Sequence, residues 1–334
     1  MDDHVDSDSI KSKQDASDEP LVLTVLGCGT LGSAILSGIL DSIYPINHRD
    51  AALSTAVADS LEADMPDRTP GAFIACVSRP SSAKRLGSEL KQHLHRIKIL
   101  QNENLEGVQQ ADIVLLACKP QMARDILSEP GMREALAGKL LISILAGVPV
   151  SQIEEILYGG TSESEASCKI VRVMPNTASL HRESMTVIAN STPPLSPGQA
   201  VLTTWMFTRI GRVVHLPSSA MDAATALCGS GPAFCALMLE AMADGAVAMG
   251  IPRAEAQEMA AQTMRGCAGM VLKGQHPAIV REKVSTPGGC TIGGLLVLEE
   301  GSLRGTIARG VREATVVASQ LGKGLQGVNG TWGR

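Results

Sequence analysis

Thr24-Val25-Leu26-Gly27-Cys28-Gly29-Thr30-Leu31-Gly32-Ser33-Ala34-Ile35 reads as an apolar strand, a glycine turn of the form G-x-G-x-x-G, and the opening of a helix. Gly27 permits the tight turn, Gly29 lets backbone approach a pyrophosphate, and Gly32 allows the helix to pack closely on the strand. The helix start offers unpaired N–H groups and a positive dipole end to phosphates. A glycine turn also occurs in proteins that bind no nucleotide. Here the strand before it and the helix after it supply the context that dinucleotide binding requires.

Outward from this turn, strand-like runs alternate with helical patterns through residue 150, the signature of βαβ units and a parallel sheet. Strands are expected at Leu21–Leu26, Phe73–Val77, Lys98–Leu100, Ile113–Ala117, Leu140–Leu145, Ile170–Val173 and Met185–Ala189. The gap between Gly32 and Phe73 exceeds what one crossover helix needs, so an insertion is expected near 48–70, helical around Ala51–Ala63. Gly159–Ser167 reads as a surface loop, and Pro193, Pro194 and Pro197 as a turn before a helix near Gly198. After Ser219 strand patterns give way to Ala- and Met-rich helical ones at Ala220–Gly250, Arg253–Leu272, His276–Val284 and Gly293–Leu321. The fold class expected is an α/β Rossmann-type domain over 21–219 followed by an all-α domain over 220–322, with a flexible tail at 323–334.

The totals exclude several classes. Of 334 residues, 44% are hydrophobic, 19% charged and only 2% aromatic, with a net charge of −5. That balance is ordinary for a globular protein and offers neither a stacking platform nor a basic footprint for nucleic acid. The acidic excess is local: residues 1–20 hold seven acids and two lysines, which accounts for the whole −5. Such a stretch cannot support a core and reads as a disordered tail. It has neither the basic start and apolar centre of a secretory signal nor the basic character of a mitochondrial presequence. A cytoplasmic chain with reduced cysteines is therefore expected. Cys76, Cys118 and Cys235 sit in apolar runs and read as small buried hydrophobes. His93 and His95 read as facing water, and no metal-ligand spacing is present. Ala226–Met249 is apolar enough to suggest a membrane span. It carries Glu240 and Asp244, so a helix buried between subunits is expected instead.

The end of the second strand decides between the nicotinamide cofactors. An acid there would bond the ribose 2′-hydroxyl of NAD, whereas a basic, hydroxyl-rich corner accepts the 2′-phosphate of NADP. Ser78-Arg79-Pro80-Ser81-Ser82, with Lys84 and Arg85 following, contains no carboxylate. NADPH is the expected cofactor, with NADH also possible. Lys119, in the Ala117-Cys118-Lys119-Pro120 run that ends another strand, is placed to hold a charged cofactor group.

Two small-residue segments mark the other half of a site. Gly229-Ser230-Gly231-Pro232-Ala233 opens a long helix. Ser285-Thr286-Pro287-Gly288-Gly289-Cys290-Thr291 precedes another, and its N–H groups suit a carboxylate. A plain helix cap with a glycine turn is the alternative reading of that loop. Together with the glycine turn, the A-C-K-P run and Met174-Pro175-Asn176-Thr177, these segments resemble the pyrroline-5-carboxylate reductases in order and spacing from about Leu21 to Gln320.

The resemblance implies reduction of 1-pyrroline-5-carboxylate to L-proline, the last step of proline biosynthesis, using NADPH or NADH. It implies a homodimer interlocked through the helical domain, which in some members assembles further into decamers. By position, Leu26, Gly27, Cys28, Gly29, Thr30, Leu31, Ser78, Pro80, Asn104, Cys118, Lys119 and Ala146 would lie on the cofactor, beside Gly32 and Arg79 read from the motifs above. Thr286, Gly288, Gly289 and Cys290 would hold the substrate, with Thr291 hydrogen-bonding the ring nitrogen; Ser285 and Ser230 are further expected substrate residues, and Thr291 and Thr286 the expected catalytic ones. Cys228 stands where the family usually has serine.

The chemistry agrees. Reduction of a carbonyl requires protonation of a developing alkoxide, which calls for a placed Tyr, His or Lys. The only tyrosines, Tyr44 and Tyr158, read as loop residues. A protonated cyclic imine accepts hydride directly, so orientation and a hydrogen bond at nitrogen suffice. Two alternatives stand beside this: a β-hydroxyacid dehydrogenase, whose interdomain-helix lysine is absent from Ala226–Met249, and a nucleotide-binding scaffold without catalysis.

Overall fold

A computed structural model describes residues 20–45, 65–159, 167–323, 325, 328 and 330. The acidic tail but for Pro20, the helix expected at Ala51–Ala63, and most of the Gly159–Ser167 loop and of the C-terminal tail lie outside the described residues.

The nucleotide half is an eight-stranded sheet. Its strands are β1 (Leu21–Leu26), β2 (Pro70–Val77), β3 (Ile97–Gln101), β4 (Ile113–Leu116), β5 (Leu140–Ser143), β6 (Lys169–Met174), β7 (Ser184–Asn190) and β8 (Gly211–Pro217). They stand in the order β3-β2-β1-β4-β5-β6-β7-β8. The first six run parallel, β7 is antiparallel to β6, and β8 is parallel to β7. Helices cover both faces, so the central strands are apolar on both sides. Leu23, Val25 and Leu115 enter one core with Ile35, Ile39 and Phe207, whereas Leu26, Val114 and Leu116 enter the other with Ile126, Leu136 and Ile153.

Seven of the eight strands match the sequence expectation; β8 does not. Its sequence, Gly-Arg-Val-Val-His-Leu-Pro, is polar and lies at the sheet edge, where only Gly211 is buried. Its extended form comes from pairing with β7 along seven residues, from Ser184↔Gly211 to Asn190↔Pro217. The helix α1 (Thr30–Ile43) follows the glycine turn, and α2 (Pro80–Glu89) follows β2. Short helices α3 (Asn104–Gln109), α4 (Ala123–Leu127) and α5 (Met132–Leu136) and the longer α6 (Val150–Tyr158) and α7 (Pro197–Thr208) complete the layers. Tyr158 thus ends a helix rather than lying in a loop, and the Cys168 backbone N–H donates to its hydroxyl at 3.0 Å.

The second half is helical, as expected, but more broken. A short α8 (Met221–Ala224) runs into a π-turn at Thr225–Gly229, then α9 (Gly231–Ala248). There follow α10 (Arg253–Leu272), α11 (Pro277–Val284), α12 (Cys290–Glu300) and α13 (Leu303–Gly322). The single helix expected over Gly293–Leu321 is therefore two, broken at Gly301-Ser302, where Ser302 adopts the left-handed conformation at φ 55°.

These helices are poorly covered within one chain. In α9 only Ala243 is buried, and α12 buries nothing. Leu237, Leu296 and Val297 are each more than half exposed. Cys235, expected inside, is exposed as well. By length and composition alone Ser218–Ala248, with a mean hydropathy of 1.4 over its most apolar stretch, is long and apolar enough to cross a membrane. It also holds Asp222, Glu240 and Asp244, which are costly in hydrocarbon.

Candidate nucleotide and substrate site

At the end of β1 the chain reverses through Gly27, at φ +75°, and the Gly29 N–H donates back to the Gly27 carbonyl at 2.7 Å. The Cys28 N–H donates to the Cys76 carbonyl on β2 at 2.9 Å, which ties the turn to its neighbour. Gly29 has open space at its missing Cβ, with the nearest atom 3.9 Å away. Gly32 packs tightly, since a Cβ there would meet Val25 at 3.2 Å and Ala117 at 3.3 Å. The tight turn at Gly27 and the close packing at Gly32 are as expected, and Gly29 leaves open space beside the turn. The N-terminus of α1 has no side-chain cap and no acid in its first turn, so it is free to receive an anion.

The remaining expected cofactor residues gather along the same rim, at the carboxyl ends of the parallel strands. Ser78, Arg79 and Pro80 follow β2, Asn104 opens the helix after β3, Cys118 and Lys119 follow β4, and Ala146 lies in the turn after β5. Arg79 is exposed and forms the N-cap position of α2 through its backbone, again with no acid in the first turn. Arg85 adds a cation: one Nη lies 3.3 Å from the Cys28 carbonyl while the other pairs with Glu89 at 3.1 Å. Its reach to the Cys28 carbonyl lays it against the glycine turn, a placement the sequence alone does not give. Burial pushes the Cys28 and Cys76 thiols up to about 12 and Cys118 up to about 11. All three are neutral beside the rim and repel no phosphate.

A cavity of about 1020 Å³ lies elsewhere, between α1, the turn at Thr177–His181 and α10. Asp41 on its wall accepts from Arg182 at 2.8 Å and lies 2.7 Å from Nε2 of His93. His93, expected to face water, is only 4% exposed. This is a structural polar node that pins α1 to two neighbouring turns.

The loop Ser285–Thr291 joins α11 to α12. The Ser285 hydroxyl donates to the Arg281 carbonyl at 2.8 Å, Gly288 takes φ +67°, and the Gly289 N–H closes a turn on the Thr286 carbonyl at 3.0 Å. Gly289 caps α12 with no side chain, leaving Cys290 and Thr291 in its first turn. Thr286, Gly288 and Cys290 are exposed and Thr291 half-buried. Among the described residues no hydrogen bond or ion pair joins this loop to the nucleotide rim. The chain thus assembles two groups of expected residues, one on each domain. Ser230 lies between the π-turn and α9, its N–H donating to the Thr225 carbonyl at 3.1 Å. Among the described residues no cluster of His, Cys, Asp and Glu could hold a metal ion.

One residue quoted in the sequence but given no role is Asn176, just past β6 and 9% exposed. Its backbone N–H donates to the Ser184 hydroxyl, and its side chain bonds both Ala178 and the Cys228 carbonyl of the π-turn.

Comparison with known proteins agrees with this two-part layout. A family model described as pyrroline-5-carboxylate reductase dimerisation matches residues 218–321, and one described as NADP oxidoreductase, coenzyme F420-dependent, matches residues 22–147. The pyrroline-5-carboxylate reductase of Lophium arboricola is 61% identical, covering 93% of this chain and 96% of its own. That of Neurospora crassa is 52% identical, covering 94% of this chain and 97% of its own. Among solved structures, the Plasmodium falciparum pyrroline carboxylate reductase with NADP bound superposes with a TM-score of 0.68 at 26% identity, over 90% of this chain and 98% of that one. With matches of that identity along nearly its whole length, the chain belongs to the pyrroline-5-carboxylate reductase family.

Proposed function

We propose that the protein reduces 1-pyrroline-5-carboxylate to L-proline with NADPH, as a cytoplasmic homodimer joined through its helical domain. The observation that supports it most is the pairing of an uncapped glycine-turn rim with the Ser285–Thr291 nest in one chain. The rim fits a dinucleotide: Gly29 leaves room for a pyrophosphate, the N-terminus of α1 faces it, and Arg79 with Ser78 meets a 2′-phosphate. When bound, NADPH supplies a hydride for the imine carbon.

The chain's own residues do the rest. Backbone N–H groups at Gly288–Thr291, aided by the Ser285 and Thr286 hydroxyls and by Ser230, hold the substrate carboxylate. Thr291 bonds the ring nitrogen, orienting the protonated imine and steadying its proton as the neutral amine forms. Lys119, Asn104 and Ala146 border the cofactor groove. The apolar faces of α9 and α12 need a cover that a second copy of the matched dimerisation domain provides.

The test is oxidation of NADPH, and separately of NADH, by purified protein given pyrroline-5-carboxylate, with proline measured as product. Proline formed in step with NADPH loss is the expected result. A protein that binds NADPH but turns over neither cofactor would be a scaffold or act on a different imine.

A further inference from the structure

We propose that Asn176 is a positioning residue of the reductase: it sets the helical domain, and with it the Gly229-Ser230-Gly231 segment, at the correct height above the nucleotide rim. The inference rests on the reductase reading above and adds a role to a residue outside both expected groups.

The argument starts from Pro232. In a continuous α-helix the Cys228 carbonyl would accept from the N–H four residues on, at position 232. Proline has none, so the sequence Gly-Ser-Gly-Pro leaves that carbonyl without a helical donor. The chain answers with a π-turn over Thr225–Gly229, closed by the Ser230 N–H on Thr225. The stranded carbonyl is met from the other domain: Nδ2 of Asn176 donates to it at 3.0 Å. Cys228 is part-buried, so leaving that carbonyl unmet would destabilise the turn.

Asn176 is itself tightly held. Its Oδ1 accepts from the Ala178 N–H at 3.0 Å, its backbone carbonyl accepts from the Ser179 hydroxyl at 2.5 Å, and its backbone N–H donates to the Ser184 hydroxyl at 3.1 Å. The backbone is pinned by Ser179 and Ser184 and the side chain by Ala178, so the donor to Cys228 is held from the Rossmann side. A second side-chain bond from a residue before 218 to one after it, Arg172 to Asp222, is long at 3.4 Å. Asn176 follows Met174 at the carboxyl end of β6, the edge of the sheet that carries the cofactor rim. It therefore ties that rim directly to the segment that opens α9. Displacements of about 1 Å between reacting partners can cost on the order of 100-fold in rate.

The experiment separates this role from simple support of the local turn. Asn176→Asp keeps the acceptor that caps Ala178 and removes the donor to Cys228; Asn176→Ala removes both. A third protein, Asn176→Ala with Pro232→Ala, returns an N–H to position 232, the donor that a continuous helix directs at the Cys228 carbonyl. Full-length proteins are compared for kcat, for KM of pyrroline-5-carboxylate and for NADPH affinity by fluorescence titration. Expected is a kcat loss of roughly tenfold or more in both single variants, with NADPH affinity within twofold of wild type and partial recovery of kcat in the double variant. Asn176→Asp with wild-type kcat would overturn the proposal, since the turn alone would then be at stake. So would a kcat that stays lost in a folded double variant, or a loss explained by weaker NADPH binding. If Asn176→Asp does not fold, the comparison of Asn176→Ala with the double variant decides. An inactive wild-type protein refutes the reductase reading and leaves this one without an object.

Discussion

A Cβ added at Gly27 would stand 2.5 Å from the backbone Cα of Cys118, so the first glycine of the turn and the exit of β4 are in direct contact. The three glycines of the motif therefore separate into different kinds of constraint. Gly27→Ala combines that overlap with a φ of +75° and is expected to destabilise the protein by on the order of 3 kcal/mol. Gly29→Ala has room for its methyl and should unfold at the wild-type denaturant midpoint, yet bind NADPH at least tenfold more weakly. Paired urea titrations and cofactor titrations check both. Equal losses of stability in the two variants would contradict this division of roles.

Arg79→Ala should lower kcat/KM for NADPH by roughly 10- to 100-fold, the worth of a charge-assisted phosphate contact, and leave that for NADH nearly unchanged. Steady-state kinetics with both cofactors read this directly. Parallel losses would move the 2′-phosphate elsewhere, with Arg85 the next candidate.

Thr291→Val keeps the shape of the side chain and removes its hydroxyl. A fall in kcat of roughly 100-fold is expected, with unchanged NADPH affinity. Wild-type kcat and KM in this variant would remove Thr291 from the chemistry.

The buried thiols give stability a pH dependence of known sign. Cys28 and Cys76 are held neutral in the fold up to about pH 12, whereas in the unfolded chain they ionise near the ordinary thiol value. Their contribution is thus complete below about pH 8.5 and is lost as pH rises from there toward 12. Each thiol should cost about 1 kcal/mol per pH unit across that window. Urea midpoints from pH 8 to 10.5 measure it, and Cys76→Ala should flatten the slope.

Asp41→Ala removes the carboxylate that both His93 and Arg182 contact. Because Asp41 is 27% exposed, the cost is set below that of a fully buried pair, at about 2 kcal/mol. The same change lies away from the cofactor rim, so kcat should hold while the melting temperature falls.

The sequence announced most of the first 150 residues because each strand there is an apolar run closed by glycine, proline or a capping pattern. Gly27, Gly29 and Gly32 need no partner to be understood. β8 was hidden because Arg212 and His215 break its apolar pattern; its extended shape is imposed by β7. His93 looked like a solvated residue because its partner, Asp41, is 52 positions away. Asn176 and Cys228 are equally far apart, and nothing local in Met-Pro-Asn-Thr foretells the bond. Short-range chemistry was legible, and long-range pairing was not.

The uncovered faces of α9 and α12 carry a consequence for how this protein comes into being. In the proposed homodimer, a freshly made chain presents Leu237, Leu296 and Val297 to water until a second copy meets them, so maturation would then depend on the square of chain concentration and not on folding alone. Sparse synthesis would leave unmated chains, sticky and short-lived, and the working enzyme would rise more steeply than its messenger.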